Sequence, residues 1–562
     1  MRTSQNDVIS RSSGHELILI AVTPLVCLLP FVTKAFHVDD TLFMWTAKQI
    51  LAHPLDFYGF NANWYGYEMS MAHIQQNPPL VAYFIALIGL LFGWSEIAAH
   101  VAFLIPAIAA SVGIFFLAKP FCRLPHVATL VAVLTPAFLV SSTNVMSDTF
   151  LLALYVWSIM LYVRGLDQQQ HSLMVLAAIL ASFAVLTKYF GITLVPLLLA
   201  YSVAKQRRLD RSIWYFLIPI FVTLGYEWLT LCLYDRGLFS HAASYSVSIS
   251  TQIGQNFVPR VLTGLSFTGG ALVSAAFFSP IIWSRRTWLL VLPLLGSCIF
   301  LLLGLGKLGP VTFLRGGHFR WETLLLLSVF IIAGAHILIL AADDLLTHRD
   351  PISLMLFLWV VGTFVFATFF NWTTNVRSVL PMAPAVAIIV SRKYDRFFQE
   401  QTDRRWKWLI VPLVVSAVLA LSVAWADFSL ANCQRAAVKA FQSLTSDRSG
   451  TLWFQGHWGF QYYTQLLGGK PVNLKGTPIK RGDLMLVPQN NTNVGKVNSN
   501  LFRHIYHLQL ESSTLIATIS IKLGAGFYSS LWGPLPFAFG HVPLEQYDLY
   551  VAEPLIKQPT PH

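Results

Sequence analysis

Apolar runs recur along the chain at the length of a bilayer-spanning helix, about 20 residues. Thirteen such runs are visible, at roughly 16–36, 97–118, 127–142, 149–164, 172–187, 189–204, 212–234, 260–283, 287–306, 321–342, 352–370, 377–391 and 408–428. Another run, Leu80 to Trp94, is short, follows Pro78-Pro79 and ends in Gly93-Trp94, so it reads as an interfacial or re-entrant helix. Polar sequence interrupts the pattern in three places. These are a long loop at 37–79, the turn "STNVMSDTF" at 142–150, and the C-terminal part from about 430. In that last part, helix-like stretches at 434–444 and 458–467 alternate with strand-like stretches at 451–455, 483–488, 514–521 and 547–552. The pattern predicts a polytopic α-helical membrane protein with about 13 transmembrane helices and a small C-terminal α/β or α+β domain. The transmembrane part is expected over 1–429 and the soluble domain over 430–562.

Composition agrees with this reading. Of 562 residues, 55% are hydrophobic and 11% are charged, against about 25% charged in a soluble domain. The net charge of +12 therefore points to basic loops beside a membrane and not to nucleic acid. With the N-terminus cytoplasmic and 80–94 not crossing, the basic loops 205–211 and 392–407 fall on the cytoplasmic side, as the positive-inside rule requires. The loop 37–79, the turn 142–150 and the C-terminal domain then share the opposite face. The five cysteines form no CxxC pair or disulfide framework. The first apolar run is long for a signal peptide and lacks a small-residue cleavage site, so it reads as a retained helix.

The candidate chemistry lies on that opposite face. Asp39 and Asp40 open the long loop, and Asp148 opens another span at similar depth. Two carboxylate sites at a lipid–water boundary suit general-base work on a membrane-bound substrate. The plain alternative for Asp148 is an acidic residue favoured by a helix N-terminus, and spacing alone does not separate the two. Lys188 in "LTKYFG" and Arg377 in "NVRSVLP" could hold a phosphate or simply snorkel from helix ends. Arg315, His318 and Arg320 form a further basic cluster, His241 sits in another loop, and Glu227 lies within a span. Trp64, Tyr65 and Tyr67 read as interfacial-belt residues that would also suit stacking on a sugar ring.

The order of these motifs resembles a known family. An acidic pair after the first helix is followed by "PPL", an "M-x-D" turn, "LTKYxG" and "R-x-x-L-P-x-x-P". This is similar to the GT-C superfamily of polyprenyl-phosphate-sugar-dependent glycosyltransferases, over about residues 15–430. Within it, the chain resembles the branch that contains dolichyl-phosphate-mannose–protein mannosyltransferases and the bacterial lipid A aminoarabinose transferase. The resemblance implies Asp39 as catalytic base, with Asp40 in place of the usual glutamate and Asp148 at the second acidic position. It implies Lys188, His241, Arg377 and, more weakly, Arg320 as donor-phosphate ligands. Trp64, Tyr65, Glu68 and Asn77 would lie in the acceptor or sugar loop. Gln76-Asn77 stand where the aminoarabinose branch often has Glu-Lys, which leaves a divalent metal open. The implied reaction is inverting transfer from a polyprenyl-phosphate-linked sugar to an extracytoplasmic protein, lipid or glycan in a bacterial inner membrane. The sugar, the polyprenol, the acceptor and the oligomeric state stay open. Two rival classes are a transporter or flippase of lipid-linked sugars and a noncatalytic receptor. Transporters tend to carry repeated halves with charges at the midplane, and no such repeat is visible here.

Overall fold

The computed structural model describes residues 2–75, 77–208, 211–252, 256–283, 285–397, 407–445 and 450–553. Among them, eight helices are long and apolar enough to cross a membrane. A ninth results if Pro125–Val133 and Pro136–Ser142, bent by 64°, form one span. Every one of the thirteen apolar runs is mainly helical, but several helices are short or broken. The run 260–283 divides into Phe257–Ala271, Val273–Phe277 and Ser279–Ile282. The run 377–391 opens with the short turns Val376–Val379 and Leu380–Met382 before Ala383–Phe397. Proline explains several of these breaks, because it brings no N–H and disfavours helix in the residue before it. Pro136, Pro280 and Pro381 each stand in the first turn of a new segment, and Thr135 Oγ1 caps the first of these by accepting from Phe138 N at 3.0 Å. The chain is thus a polytopic helical membrane protein with a small C-terminal sheet region.

Leu80–Phe92 is a 13-residue helix, shorter than a span, and it packs on the helix Asp40–Ala52 of the long loop. Small residues let the helices Phe257–Ala271 and Trp321–His348 pack closely against each other. A methyl group at Gly269 would lie 1.9 Å from the Phe330 carbonyl oxygen, and one at Gly334 would lie 2.1 Å from that of Leu265.

The helix Lys407–Thr445 runs unbroken for 39 residues, across position 430 and through the helix expected at 434–444. It carries the chain from the bundle to a five-stranded sheet. The strand order is Phe502–Leu510, Glu545–Ala552, Leu484–Pro488, Leu452–Phe454, Lys470–Pro471. The first three strands are antiparallel, and the last two join in parallel. The expected strand 514–521 is two short pieces, Ile516–Ala517 and Ile519–Ser520, each paired with a different partner. The longest strand, Phe502–Leu510, was not legible in the sequence. It is an edge strand whose side chains are mostly exposed, so it lacks the apolar alternation of a half-buried strand.

Candidate functional site

The loop after the first helix is held in a strained shape. Val38 has φ 45°, a conformation that costs a β-branched residue about 1–3 kcal/mol. Asp40 braces it from both sides. Its Oδ2 accepts from His37 N at 2.8 Å, and its Oδ1 accepts from Val145 N at 2.9 Å, in the turn before Asp148. Asp40 is fully buried. Burial pushes its carboxyl up to about 7, against the opposing pull of those N–H groups and of Lys34. Asp40 therefore sets the loop and presents neither oxygen to an open face.

Asp39 occupies the N-cap position of Asp40–Ala52, but its side chain makes no cap bond. It turns to Arg377, whose Nη2 donates to Asp39 Oδ2 at 2.9 Å. Arg377 Nη1 lies 3.9 Å from Asp148 Oδ2, and Lys188 Nζ donates to Asp148 Oδ1 at 2.7 Å. The result is a continuous chain, Asp39–Arg377–Asp148–Lys188, drawn from four separated parts of the sequence. Its exposure is graded: 29% for the Asp39 side chain, 21% for Lys188, 14% for Arg377 and 2% for Asp148. Asp148 thus anchors two cations from beneath, while Asp39 and Lys188 stay reachable. The guanidinium of Arg377 also lies 5.5 Å from the ring centre of Tyr528, in the C-terminal part.

The other sequence candidates lie at varying removes. Tyr65 sits close enough to Asp39 to feel its charge and is hydrogen-bonded to Tyr245, and burial raises its hydroxyl well above the usual range. Tyr245 in turn lies beside His241, which stacks edge-on with His73 at 6.2 Å. His241 therefore approaches through an aromatic bridge and has no described contact with the ionic chain. Glu227 accepts from Phe239 N at 2.9 Å and so caps the helix that carries His241. Trp64 is buried between Trp45 and His457. Glu68 is exposed on a two-stranded hairpin. Asn77 bonds the Gln75 side chain, and Gln76 lies outside the described residues. Arg320 donates to the Lys522 carbonyl at 2.6 Å, with no described contact to the ionic chain. Arg315 and His318 pair across an exposed hairpin.

A second ionic network was missed. Lys34 Nζ donates to Asp427 Oδ2 at 2.6 Å, Asn144 Oδ1 at 2.7 Å and Thr143 Oγ1 at 3.1 Å. Asp427 also accepts from Thr518 Oγ1 at 2.8 Å and Tyr528 Oη at 2.7 Å. Both charged side chains are 0% exposed. His37 is buried alongside, and burial holds its imidazole down at about 4. The usable signal was a lysine and an aspartate in apolar runs, where a charge is costly unless paired. A cavity of about 410 Å³ lies elsewhere, lined by Trp45, Lys48, Phe60, Asn61 and Gln465 among others, and no member of either network borders it.

Residues 76–226 match the family model described as dolichyl-phosphate-mannose-protein mannosyltransferase. That stretch contains the PPL helix, Asp148 and Lys188, and the match bears out the resemblance read from the motifs. Among solved structures, the oligosaccharyltransferase of Archaeoglobus fulgidus is similar at 14% identity and a TM-score of 0.49, covering 82% of this chain and 64% of its own. This chain thus spans under two thirds of that protein's length. ArnT from Cupriavidus metallidurans, solved with undecaprenyl phosphate, is similar at 13% identity and a TM-score of 0.42, covering 84% and 93%. Arabinosyltransferase EmbB from Mycobacterium smegmatis is similar at 15% identity and a TM-score of 0.35, covering 74% and 41%. No curated protein matches the chain.

Proposed function

We propose that the chain is a membrane glycosyltransferase that moves a sugar from a polyprenyl-phosphate-linked donor to an extracytoplasmic acceptor. The observation that carries this reading is the Asp39–Arg377–Asp148–Lys188 chain, in which a reachable carboxylate adjoins two cations held by a buried one. The matched family stretch supports the same class. A donor phosphate would bind Arg377 and Lys188 and release Asp39 from its ion pair. Asp39 then takes the proton of the acceptor hydroxyl or amide as that group attacks the anomeric carbon. The bond from that carbon to the phosphate oxygen breaks on the opposite face, which inverts the centre. The leaving phosphate carries the electron pair away, and Arg377 and Lys188 receive its charge, so no general acid is needed. In this reading the C-terminal part, through Tyr528, helps to position Arg377. The site would face the extracytoplasmic side of a bacterial inner membrane, with the N-terminus cytoplasmic. Transfer from a panel of radiolabelled polyprenyl-phosphate sugars in native membranes tests it. Label should reach an acceptor with wild type and not with Asp39→Asn. Full transfer by a folded Asp39→Asn protein would remove Asp39 as base.

A further inference from the structure

The edge strand Phe502–Leu510 carries a feature that the transfer site does not use. In a regular strand, residues three apart point to opposite faces. Here the pairing register with Glu545–Ala552 shifts between His504 and Tyr506, a one-residue bulge. The bulge cancels the odd spacing and turns His504 and His507 to the same face. His507 stands directly opposite Asp548 in the register, and His504 stands opposite Tyr550, two residues along on that face. Both imidazoles converge on one carboxylate oxygen. His504 Nε2 lies 2.9 Å and His507 Nδ1 lies 2.7 Å from Asp548 Oδ1. The three candidate ligand atoms lie within 4.8 Å of one another, and among the described residues no other group of three or more His, Cys, Asp or Glu does so.

We propose that His504, His507 and Asp548 bind a divalent transition-metal ion of the Zn²⁺ type, clamping the edge strand to its neighbour. Two imidazole nitrogens and one carboxylate oxygen form a donor set suited to Zn²⁺ and unlike the oxygen cages of Ca²⁺ or Mg²⁺. Ligand atoms around tetrahedral Zn²⁺ stand about 3.3 Å apart at Zn–N and Zn–O distances near 2.0–2.1 Å. The two histidine–Asp548 separations need to open by only about half an ångström, within the reach of side-chain rotation. Surrounding groups hold the ligands in place. Gln489 Nε2 donates to the other Asp548 oxygen at 2.6 Å. The Gln509 amide lies 3.0 Å from His507 Nε2. With Nδ1 on the metal, that nitrogen carries the ring proton, and the amide accepts it once turned to present its oxygen. His504 is 46% exposed and His507 38%, so a fourth coordination position opens to water.

The test uses the full chain, purified in detergent without a histidine tag and stripped with chelator. Co²⁺ serves as the spectroscopic probe and Zn²⁺ as its competitor. Wild type should bind one more equivalent than His504→Gln/His507→Gln, with a visible Co²⁺ band that Zn²⁺ displaces. Asp548→Asn should weaken that binding by at least about tenfold. Both histidines are exposed, so the glutamine variants should keep the wild-type circular dichroism and elution profile. If the double variant is unstable, the single His507→Gln serves, with the same loss of the Co²⁺ band expected. Equal stoichiometry and an unchanged band in the variants, or a wild type that takes up no Co²⁺, overturns the proposal.

Discussion

Two ionic networks share one stretch of chain. Lys34 and Asp39 are five residues apart, and Thr143, Asn144 and Asp148 serve the two networks from a single turn. Tyr528 touches both, through its hydroxyl on Asp427 and its ring under Arg377. They differ in access. Lys34–Asp427 is sealed, with every charged oxygen and nitrogen paired inside the protein. Asp39–Arg377–Asp148–Lys188 keeps its outer members partly in solvent. A sealed pair can only hold helices and sheet together, because exchanging a partner would expose a bare charge in low dielectric. An open chain can exchange partners, and an arriving phosphate competes for its cations on even terms. The same residue types therefore do different work a few residues apart.

The comparison can be broken at either end. The largest expected effect is that of Asp39→Asn, which should lower the transfer rate by about 10²–10⁴-fold without changing thermal stability in detergent. A loss of folding would place Asp39 with the structural network. Next, Lys34→Met should destabilise by about 3–5 kcal/mol by leaving Asp427 buried without its cation. The double variant Lys34→Met/Asp427→Leu should recover much of that, as read by thermal unfolding. If Lys34→Met removes activity at unchanged stability, the pair is not merely structural.

Glu545 sharpens the contrast as a buried carboxylate whose one described side-chain partner is the neutral Asn490. Burial raises it from 4.5 to about 7. The folded state thus holds a proton that the unfolded state gives up at lower pH. Its contribution is fully present below about pH 4.5 and is lost as pH rises through 7. Glu545→Gln should therefore gain up to about 3 kcal/mol over wild type at pH 8, and the gain should vanish near pH 4, as unfolding curves across pH would read. A pH-independent difference would contradict this. Arg377→Lys should cost about tenfold in transfer, since one ammonium cannot serve Asp39, Asp148 and the Tyr528 ring together. Arg320→Ala should fall within about threefold of wild type in transfer, because its described bond is to a carbonyl of the C-terminal region; a larger loss would bring Arg320 into the site.

Much of the site was legible because charge in an apolar chain is rare and costly. Asp39, Asp148, Lys188 and Arg377 stood out one by one at the ends of apolar runs, and the structure brings all four together. Lys34 lies near the end of the first apolar run and Asp427 near the end of the last, and neither was singled out. Pairing over several hundred residues leaves no local trace. Asp40 was read as a partner of Asp39 in the chemistry, yet its oxygens are taken by two backbone N–H groups, a geometry set by a strained loop.

The sequence by itself determined the class of architecture, since about 20 apolar residues in water have few alternatives to a membrane helix. It also determined which residue types stand at the helix ends, and the strands built mainly of buried apolar residues, such as Leu484–Pro488. Only the tertiary structure decided which charges meet, which of them keep access to solvent, and how a bulge turns two histidines to one face. Those outcomes depend on burial and on contacts between distant segments, and neither is written in any local window of the chain.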